Sequence, residues 1–292
     1  HLSIRRQRQM CIRDSVWGAP AKDAIELVDM GYYKQSGWPM LPMGIIPNTA
    51  HPDSIFQDIR LREAVEYALD KEAIAQAMGH GLSEPVKSLP MSGEWGYDPE
   101  RGRTYDPQKA KDLLAACGYS LANPCEITLV SLNDPVTQDA VTMVKSYLDA
   151  VGFLVTLDLA DPGRYWGGTF FWLTPDQLGP DADLVWGFAG GMDTNYLQTY
   201  IRWFSTEPFS DLSYLGHTDE QRDMDVQAMA AIEIEDQIEW ITTIMDYICD
   251  NCLVIPVYGT RSYVIQQPYV HSTQFTQGFV RWMTEEVWME PH

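Results

Sequence analysis

The chain has 292 residues, of which 45% are hydrophobic and 12% aromatic, enough to bury the core of one or two globular units. Its formal net charge of −21 argues against nucleic acid and anionic membranes as partners, because both carry charge of the same sign. The sequence contains no run of about 18 apolar residues of the kind that a membrane-spanning helix needs.

The first fifteen residues differ in character from the rest of the chain. They are basic, whereas the protein is acidic, and residues 10–15 resemble the translation of a sequencing adaptor. Residues 1–15 are therefore predicted to be an adaptor-derived artefact outside the fold. We accordingly expect an N-terminal part of the protein, with any signal sequence, to be missing.

Residues 16–52 show two short strand-like segments, near residues 31–33 and 43–46. Four prolines, Pro39, Pro42, Pro47 and Pro52, are expected to interrupt them, because proline cannot donate a hydrogen bond to a neighbouring strand. A proline-rich linker remains an alternative interpretation.

Residues 56–74 predict two capped helices in succession. Asp58 and Asp70 are suited to accept the free N–H groups at the two helix starts. The apolar residues of the first helix recur with helical spacing and form one face, while the charged residues between them are expected on the solvent side. The apolar set is Leu61, Ala64, Val65, Ala68 and Leu69, and the charged set is Arg60, Arg62, Glu63 and Glu66.

The same stretch carries a family resemblance. Its pattern, Phe-x-Asp-x-Arg-x-Arg-x-Ala-x-x-x-Ala-x-Asp-x-x-x-Ile, resembles the signature of the family 5 extracellular solute-binding proteins. These are receptor subunits of ABC importers for peptides, nickel chelates and some oligosaccharides. In that family the pattern marks the entry into the second lobe of a two-lobed receptor.

A second pattern, Tyr-Asp-Pro-x-Lys-Ala-Lys-x-Leu-Leu-Ala-x-x-Gly-Tyr, occupies residues 105–119 and is also similar to the family. Asp106 is predicted to cap its helix, with Pro107 at the first helical position, where a missing N–H costs nothing. A strand at 126–132, a helix beginning at Asp134-Pro135 and ending at Gly152, and a strand at 153–159 follow. This order predicts a parallel βαβ unit with a right-handed crossover.

Further along the chain, Asp161-Pro162 predicts a short helix, residues 182–188 a strand and residues 195–205 an aromatic helix. Thr218 and Gln221 form a capping-box pattern ahead of two helices, the second at about 235–249. Strands are expected at 253–258 and 262–267, and the x-Ile-Pro-x-Tyr pattern at 254–258 is similar to the family's return to its first lobe.

The resemblance implies an α/β fold, the second lobe of a type II periplasmic-binding-protein-like fold with partial first-lobe strands. Residues 16–52 are predicted to be the end of the first lobe and a hinge crossing, residues 53–256 the second lobe, and residues 257–292 the return crossing. The implied hinge residues are Asn48, Pro52, Pro256 and Tyr258.

The candidate site is the end of the 182–188 strand and the glycine-rich turn after it. Such a turn exposes backbone N–H groups and an aromatic ring at the carboxyl edge of a sheet, where ligands of open α/β sheets collect. A core tryptophan beside an ordinary turn is the alternative, and the family resemblance favours a cleft. The predicted ligand-binding residues are Trp186, Gly187, Phe188, Ala189, Gly190, Asp193 and Tyr196.

One departure from the family bears on the ligand. Peptide-binding relatives carry an aspartate shortly after the tryptophan that pairs with the ligand's α-amine, and by spacing that place is Ala189 or Gly190 here. An unpaired ammonium in a cleft is costly. A free-amine peptide therefore requires Asp193 to reach it, and an oligosaccharide or a ligand held by stacking becomes more credible.

The resemblance implies a solute-binding receptor that captures a peptide or an oligosaccharide-like solute between two lobes and delivers it to the transmembrane subunits of an ABC permease, without catalysis. It implies a periplasmic or cell-surface-anchored monomer with no cofactor, no metal and no nucleic-acid partner. The alternative is a carbohydrate-active α/β enzyme that uses the carboxylates of Asp181, Asp183 and Asp193.

Catalytic and redox motifs are otherwise weak. The histidines are scattered, and no phosphate-binding loop, nucleophile elbow or zinc-protease motif is present. Cys249 and Cys252 have CxxC spacing, but they follow a predicted helix instead of starting one, as a redox motif requires. A local disulfide or two buried thiols is expected at this pair, and the state of Cys117 and Cys125 is left open.

Overall fold

A computed structural model describes residues 15–17, 19–167, 182–188, 196–205, 214–271 and 288–290. Within these ranges the chain is an α/β structure with one large mixed sheet. The strands are β1 Ser15–Trp17, β2 Tyr33–Pro47, β3 Ser83–Pro85, β4 Cys125–Leu132, β5 Phe153–Ala160, β6 Leu184–Phe188, β7 Ile255–Gln266, β8 Val270–His271 and β9 Trp288–Met289.

Helices pack on both faces of this sheet. They are α1 Ala21–Asp29, α2 Ile59–Tyr67, α3 Lys71–Gly79, α4 Pro107–Ala116, α5 Pro135–Val151, α6 Pro162–Tyr165, α7 Tyr196–Trp203, α8 Asp219–Ala230 and α9 Ile234–Asp250, with a 3-10 turn at Ile55–Gln57. None of the helices in the described ranges is both long enough and apolar enough to cross a membrane.

The caps predicted at Asp58, Asp70, Asp106 and Thr218 are confirmed, whereas α1 and α9 begin without a side-chain cap. The side chains of Asp58, Asp70, Asp106, Asp134 and Asp161 accept backbone N–H groups in the first turns of α2 to α6, and that of Thr218 accepts the Gln221 N–H in α8. These short polar side chains satisfy N–H groups that have no partner inside the helix, so the caps locate the helix starts.

The order of strands in the large sheet is β1-β7-β2-β6-β4-β5, with β3 also pairing with β7. Strand β4 pairs in parallel with β5 and with β6, as the predicted βαβ unit requires. Strand β2 runs antiparallel to β6 on one side and to β7 on the other. The two predicted crossings therefore lie next to each other in the sheet, and residues 16–47 pack against the strand that ends at Gln266.

The expectation that prolines break residues 16–52 into short pieces is wrong. A single strand, β2, runs from Tyr33 to Pro47, and its pairing with β7 shifts register on either side of Pro39 and Pro42. Because a bulge leaves an N–H without a ladder partner, it tolerates proline where a regular strand does not. The two strands predicted at 253–258 and 262–267 are likewise one strand, β7.

The two larger hydrophobic cores of the described residues lie on opposite faces of the sheet, and a third, small one joins α1 to β7. Neighbouring residues of β2 and β6 alternate between them, with Ile45 and Trp186 in the first core and Ile46 and Val185 in the second. The first core packs α2, α3, α4 and α5, and the predicted apolar face of α2 is fully part of it. The second core packs α6, α7, α8 and α9.

The expectation that all four charged residues of α2 face solvent is wrong for two of them. Arg62 is 7% exposed and Glu66 is 3% exposed. The Arg62 guanidinium donates to the carbonyl oxygens of Phe56 and Asn251. Distant parts of the chain fold over α2 and supply polar partners, which helical periodicity alone does not reveal.

A buried ion cluster surrounds Glu66. Its carboxylate lies 3.0 Å from the Lys71 ammonium and 3.1 Å from the Arg103 guanidinium, and Arg103 also pairs with Glu63 at 2.8 Å. Burial alone would raise the pKa of Glu66, but the two cations outweigh it and hold that pKa below its ordinary value. The cluster ties α2, α3 and the loop at 101–103 together.

Candidate functional site

The Trp186 segment lies beside the strand of the first crossing, because β6 pairs with β2, and β2 separates it from β7. Trp186 on β6 pairs with Ile45 on β2, and its ring centroid lies 6.1 Å from that of Tyr258 on β7. Gly187 pairs with Gly44, and the backbone of Phe188 pairs with Met43 at the end of β6. The predicted tryptophan corner is therefore adjacent to β2, the strand of the first crossing, and reaches β7 through the ring contact between Trp186 and Tyr258.

Trp186 itself is 1% exposed and packs in the first core. Its indole N–H is buried and has no hydrogen-bond partner among the described residues. Tyr196, another predicted ligand-binding residue, is fully buried in the second core, on the opposite face of the sheet. The structure thus does not bring these two aromatic side chains together. Ala189, Gly190 and Asp193 lie outside the described residues.

Asn48 holds the first crossing against the start of β6. Its backbone N–H donates to the Asp183 carbonyl at 2.9 Å, and its side-chain amide donates to the Ala182 carbonyl at 2.9 Å. Its side-chain oxygen accepts the His51 N–H at 3.1 Å, and the residue is 3% exposed. Pro52 is exposed in the turn that follows. At the second crossing, Pro256 pairs with Gly44.

A cleft of about 700 Å³ opens beside Tyr258. One wall comes from residues 19–22 at the start of α1 and from Tyr263 on β7, and the other comes from the end of α3 and the first half of α5. The walls therefore belong to the two units that the sequence predicts as first and second lobe. Tyr258, predicted as a hinge residue, lies where β7 passes from one to the other.

The cleft is mainly apolar, with few charges. Its apolar lining includes Ala77, Met78, Val136 and Met143, together with the two tyrosine rings, and its chargeable side chains are Lys22, His80 and Asp139. Burial raises the pKa of Tyr258 to about 12, so its hydroxyl stays neutral at physiological pH. An apolar lining with a few polar groups is typical of sites for small molecules.

Sequence reasoning missed Lys22, His80 and Asp139. They lie on three helices, and no pattern within one of them indicates that the three share a cleft. The predicted parallel βαβ unit places the start of α5 at the carboxyl edge of the sheet, where ligands of such sheets bind. That placement is the feature of the sequence from which a role for Asp139 could have been predicted.

The carboxylates proposed for an enzyme do not form an acid–base pair within the described residues. Asp183 accepts the Thr128 N–H at 2.8 Å with its side chain and so completes the backbone bonding of β4. Asp181 and Asp193 lie outside the described residues. The described part of the chain also contains no group of three or more His, Cys, Asp and Glu side chains that could hold a metal ion.

The described cysteines are free thiols. Cys249 and Cys252 are buried, which raises the pKa of Cys249 to about 12, and the Cys252 thiol donates to the Glu66 carboxylate at 3.3 Å. A thiol with a raised pKa forms little of the reactive thiolate. Of the two states expected for this pair, the structure has the buried thiols.

Comparison with known proteins agrees with this architecture. The family model for bacterial extracellular solute-binding proteins, family 5 Middle, matches residues 12–208. The dipeptide-binding protein of Escherichia coli K12 is 26% identical over 162 residues, which are 53% of this chain and 29% of that protein. Heme-binding protein A of Haemophilus influenzae is 40% identical over 65 residues, 22% of this chain and 12% of that protein.

Solved structures of binding proteins share the fold. NikA from Brucella suis in complex with Fe(III)-EDTA superposes with a TM-score of 0.79 at 15% identity, covering 95% of this chain and 57% of that one. DppA from Helicobacter pylori in complex with the peptide STSA gives 0.79 at 16% identity, covering 98% of this chain and 55% of that one. This chain thus spans little more than half the length of these structures. Because the family model matches more than half of it, the chain belongs to the bacterial extracellular solute-binding proteins of family 5.

Proposed function

We propose that this chain supplies the second lobe and the hinge crossings of the receptor subunit of an ABC importer. The observation that carries the proposal is the cleft of about 700 Å³ beside Tyr258, which is lined on one side by residues 19–22 and Tyr263 of the predicted first lobe and on the other by α3 and α5 of the predicted second lobe. A solute held there would contact both predicted lobes, so binding favours the closed arrangement.

The receptor works without chemistry on its solute. Closure buries the solute, and the closed form docks on the transmembrane subunits of a permease. The protein acts outside the cytoplasm, in the periplasm or anchored at the cell surface, and as a monomer. The relatives' names support the solute-binding role, since they refer to binding of dipeptides, heme and peptides.

Of the two predicted solute classes, a peptide-like solute fits the cleft better than an oligosaccharide. Methionine, valine and alanine side chains on the α3 and α5 wall offer contacts to apolar side chains and few hydrogen-bonding groups for sugar hydroxyls. Tyr258 and Tyr263 can pack against either class. The apolar wall is therefore the observation that favours peptides.

Thermal unfolding of the full-length protein tests the proposal. A solute at 100 times its Kd stabilises the folded state by about 2.7 kcal/mol, which raises Tm by several degrees. We expect such a shift with short apolar peptides, a smaller one or none with maltohexaose or cellohexaose, and no consumption of any of them. Turnover of a bound solute, with two carboxylates required for it, would support the glycosidase alternative instead.

A further inference from the structure

Strand β5 forms an open edge of the large sheet. It pairs with β4 on one side, and no other described strand lies on its other side. Its eight residues, Phe153–Ala160, are mainly apolar or β-branched, and Leu154 and Leu159 are 46% and 37% exposed. An open edge of this composition offers backbone N–H and C=O groups to a further strand.

The backbone groups of β5 point alternately toward β4 and toward the open edge. The Ala160 carbonyl accepts the Asn133 N–H at 2.8 Å on the β4 side. Because the direction alternates along a strand, the even-numbered residues bond toward β4 and the odd-numbered ones direct both backbone groups outward. A further strand would therefore meet the N–H and C=O groups of Val155, Leu157 and Leu159.

Two residues near the end of α5 occupy the outward groups of Val155, and we call this pair, Lys145 and Asp149, the edge clamp. The Lys145 ammonium donates to the Val155 carbonyl oxygen at 2.6 Å, and the Asp149 carboxylate accepts the Val155 N–H at 2.9 Å. The same ammonium lies 2.7 Å from that carboxylate. The edge clamp thus supplies both bonds that a neighbouring strand would otherwise make to Val155.

The bonds to β5 give the edge clamp a role beyond that of an ion pair on a helix surface. Its two side chains are 33% and 34% exposed, so their mutual attraction contributes little to stability. No side chain among the described residues bonds the outward groups of Leu157 and Leu159 in the same way. A strand added at this edge can reach those two residues, but it must displace the edge clamp to extend to Val155.

We infer that the outer edge of β5 is a surface for strand pairing between two copies of this chain, and that the edge clamp keeps it closed. A second copy fits this edge because two antiparallel β5 strands are related by a two-fold axis, so each offers the other the same groups, and such a contact closes at two copies. The strand carries one charged residue, Asp158, and the Arg164 guanidinium already pairs with it, so the acidic character of the protein does not extend along this edge. The inference goes beyond the receptor function and does not depend on the solute.

Sedimentation equilibrium of the full-length protein tests the inference. The double variant Lys145→Ala/Asp149→Ala releases both outward groups of Val155 and leaves the net charge unchanged. We expect its dimerisation constant to exceed that of the wild type about tenfold or more, because each copy gains backbone hydrogen bonds to the other. Hydrogen exchange should show the Leu157 and Leu159 amides more protected in the dimer than in the monomer, and circular dichroism verifies that the variant is folded.

Arg222→Ala/Asp219→Ala is the matched control, since it removes another exposed ion pair, on α8, also without a change of net charge. It should sediment as the wild type does. Adding Leu159→Pro to the clamp variant should restore the monomer. Proline removes one outward N–H and leaves the bonds to β4 in place, as at other edge strands.

Three results would overturn the inference. A clamp variant that associates no more than the control would mean that the edge clamp does not hold this edge closed. Association that persists with Leu159→Pro would place the contact on another surface, and a wild type that already pairs through β5 would show that the clamp does not prevent pairing. Each of these outcomes leaves the receptor function intact, because that function is measured by solute binding.

Discussion

At the scale of single residues, Glu66 carries the largest predicted effect on stability. Its carboxylate is 4% exposed and neutralises Lys71, which is 2% exposed. In Glu66→Gln the Lys71 ammonium stays buried without a counter-charge, which we expect to lower the free energy of unfolding by about 3–5 kcal/mol. Urea denaturation followed by circular dichroism measures the change.

Glu63→Gln is the matched control for that variant. Glu63 pairs with the same Arg103, but its side chain is 25% exposed, so water can replace the partner. Its loss should cost about 1 kcal/mol or less. Equal destabilisation by the two substitutions would mean that burial does not set the strength of this cluster.

The role of a single residue could be predicted from the sequence where the group it bonds to lies a few positions away. It could not be predicted where that group is distant in the chain. Asp58, Asp70 and Asp106 cap helices a few residues away, and their roles are readable from spacing. The burial of Glu66 depends on Arg103, 37 positions later, and on the chain reversal at Cys252, 186 positions later. No short pattern in α2 records these contacts.

At the scale of elements, the cap of α2 predicts an acid-dependent loss of stability. The Arg60 guanidinium bonded to Asp58 is the main reason that the pKa of Asp58 falls from 3.8 to about 2. Because the folded state holds this group ionised more strongly than the unfolded state, its contribution is complete above about pH 4 and is lost as pH falls toward 2. Thermal melts at pH 7, 4 and 2 should show this loss in the wild type.

Asp58→Asn separates the charge from the cap. Asparagine caps helices about as well as aspartate but carries no charge to pair with the Arg60 guanidinium, so Asp58→Asn should be less stable than the wild type at pH 7, and this difference should shrink between pH 4 and 2. Asp58→Ala removes the cap as well and should be about 1 kcal/mol less stable than Asp58→Asn at neutral pH. An Asn variant that loses as much stability as the wild type over this pH range would rule out Asp58 as the source.

The contact between the first crossing and the loop before α8 gives a second prediction for elements. Gly216 donates its N–H to the Thr49 hydroxyl at 2.9 Å, and a Cβ at this glycine would lie 2.0 Å from the Thr49 carbonyl oxygen. Gly216→Ala must therefore push the loop off the crossing, at a cost of about 1–3 kcal/mol by the usual range for overpacking. Differential scanning calorimetry measures it.

Gly167→Ala is the control for this steric argument, because a Cβ at Gly167 meets no atom of the described residues within 4 Å. It should leave Tm unchanged or raise it slightly through a less flexible unfolded chain. If both alanine variants melt at the wild-type temperature, the loop at 214–217 does not bear on the crossing.

Elements with their own sequence signals were predictable, and elements defined by partners were not. The unit β4-α5-β5 was predicted within a residue or two, since its strands alternate and its helix is capped. Strands β2 and β7 were predicted as fragments, because prolines and glycines interrupt their patterns. Strand β2 stays continuous because it pairs with β7 across three register shifts, between Ser36 and Gly44, and that pairing joins residues more than 200 positions apart.

At the scale of the whole molecule, the prediction centred the site on Trp186 and did not anticipate the side chains that line the cleft beside Tyr258. The Trp186 ring is buried in the first core and packs against Tyr258. The cleft is assembled from α1, α3, α5 and β7, which are distant in sequence. The lining of the cleft is therefore set by the tertiary arrangement of these elements. Lys22 and Asp139 come to lie on opposite walls only when the chain folds.

The acidic surface of the whole chain leads to the last prediction. The formal net charge is −21, so the surface carboxylates of the folded state repel one another and destabilise it. Exposed ion pairs such as that of Arg222 with Asp219 are too weak to offset this repulsion. Raising sodium chloride from 0.02 to 0.5 M shortens the Debye length below about 10 Å, so repulsion between surface carboxylates is screened. The buried cluster at Glu66 is screened much less, and its contribution should persist. We therefore expect Tm to rise with salt in the wild type and by the same amount in Glu66→Gln, whereas a fall of Tm with salt would show that attractive surface pairs outweigh the net charge.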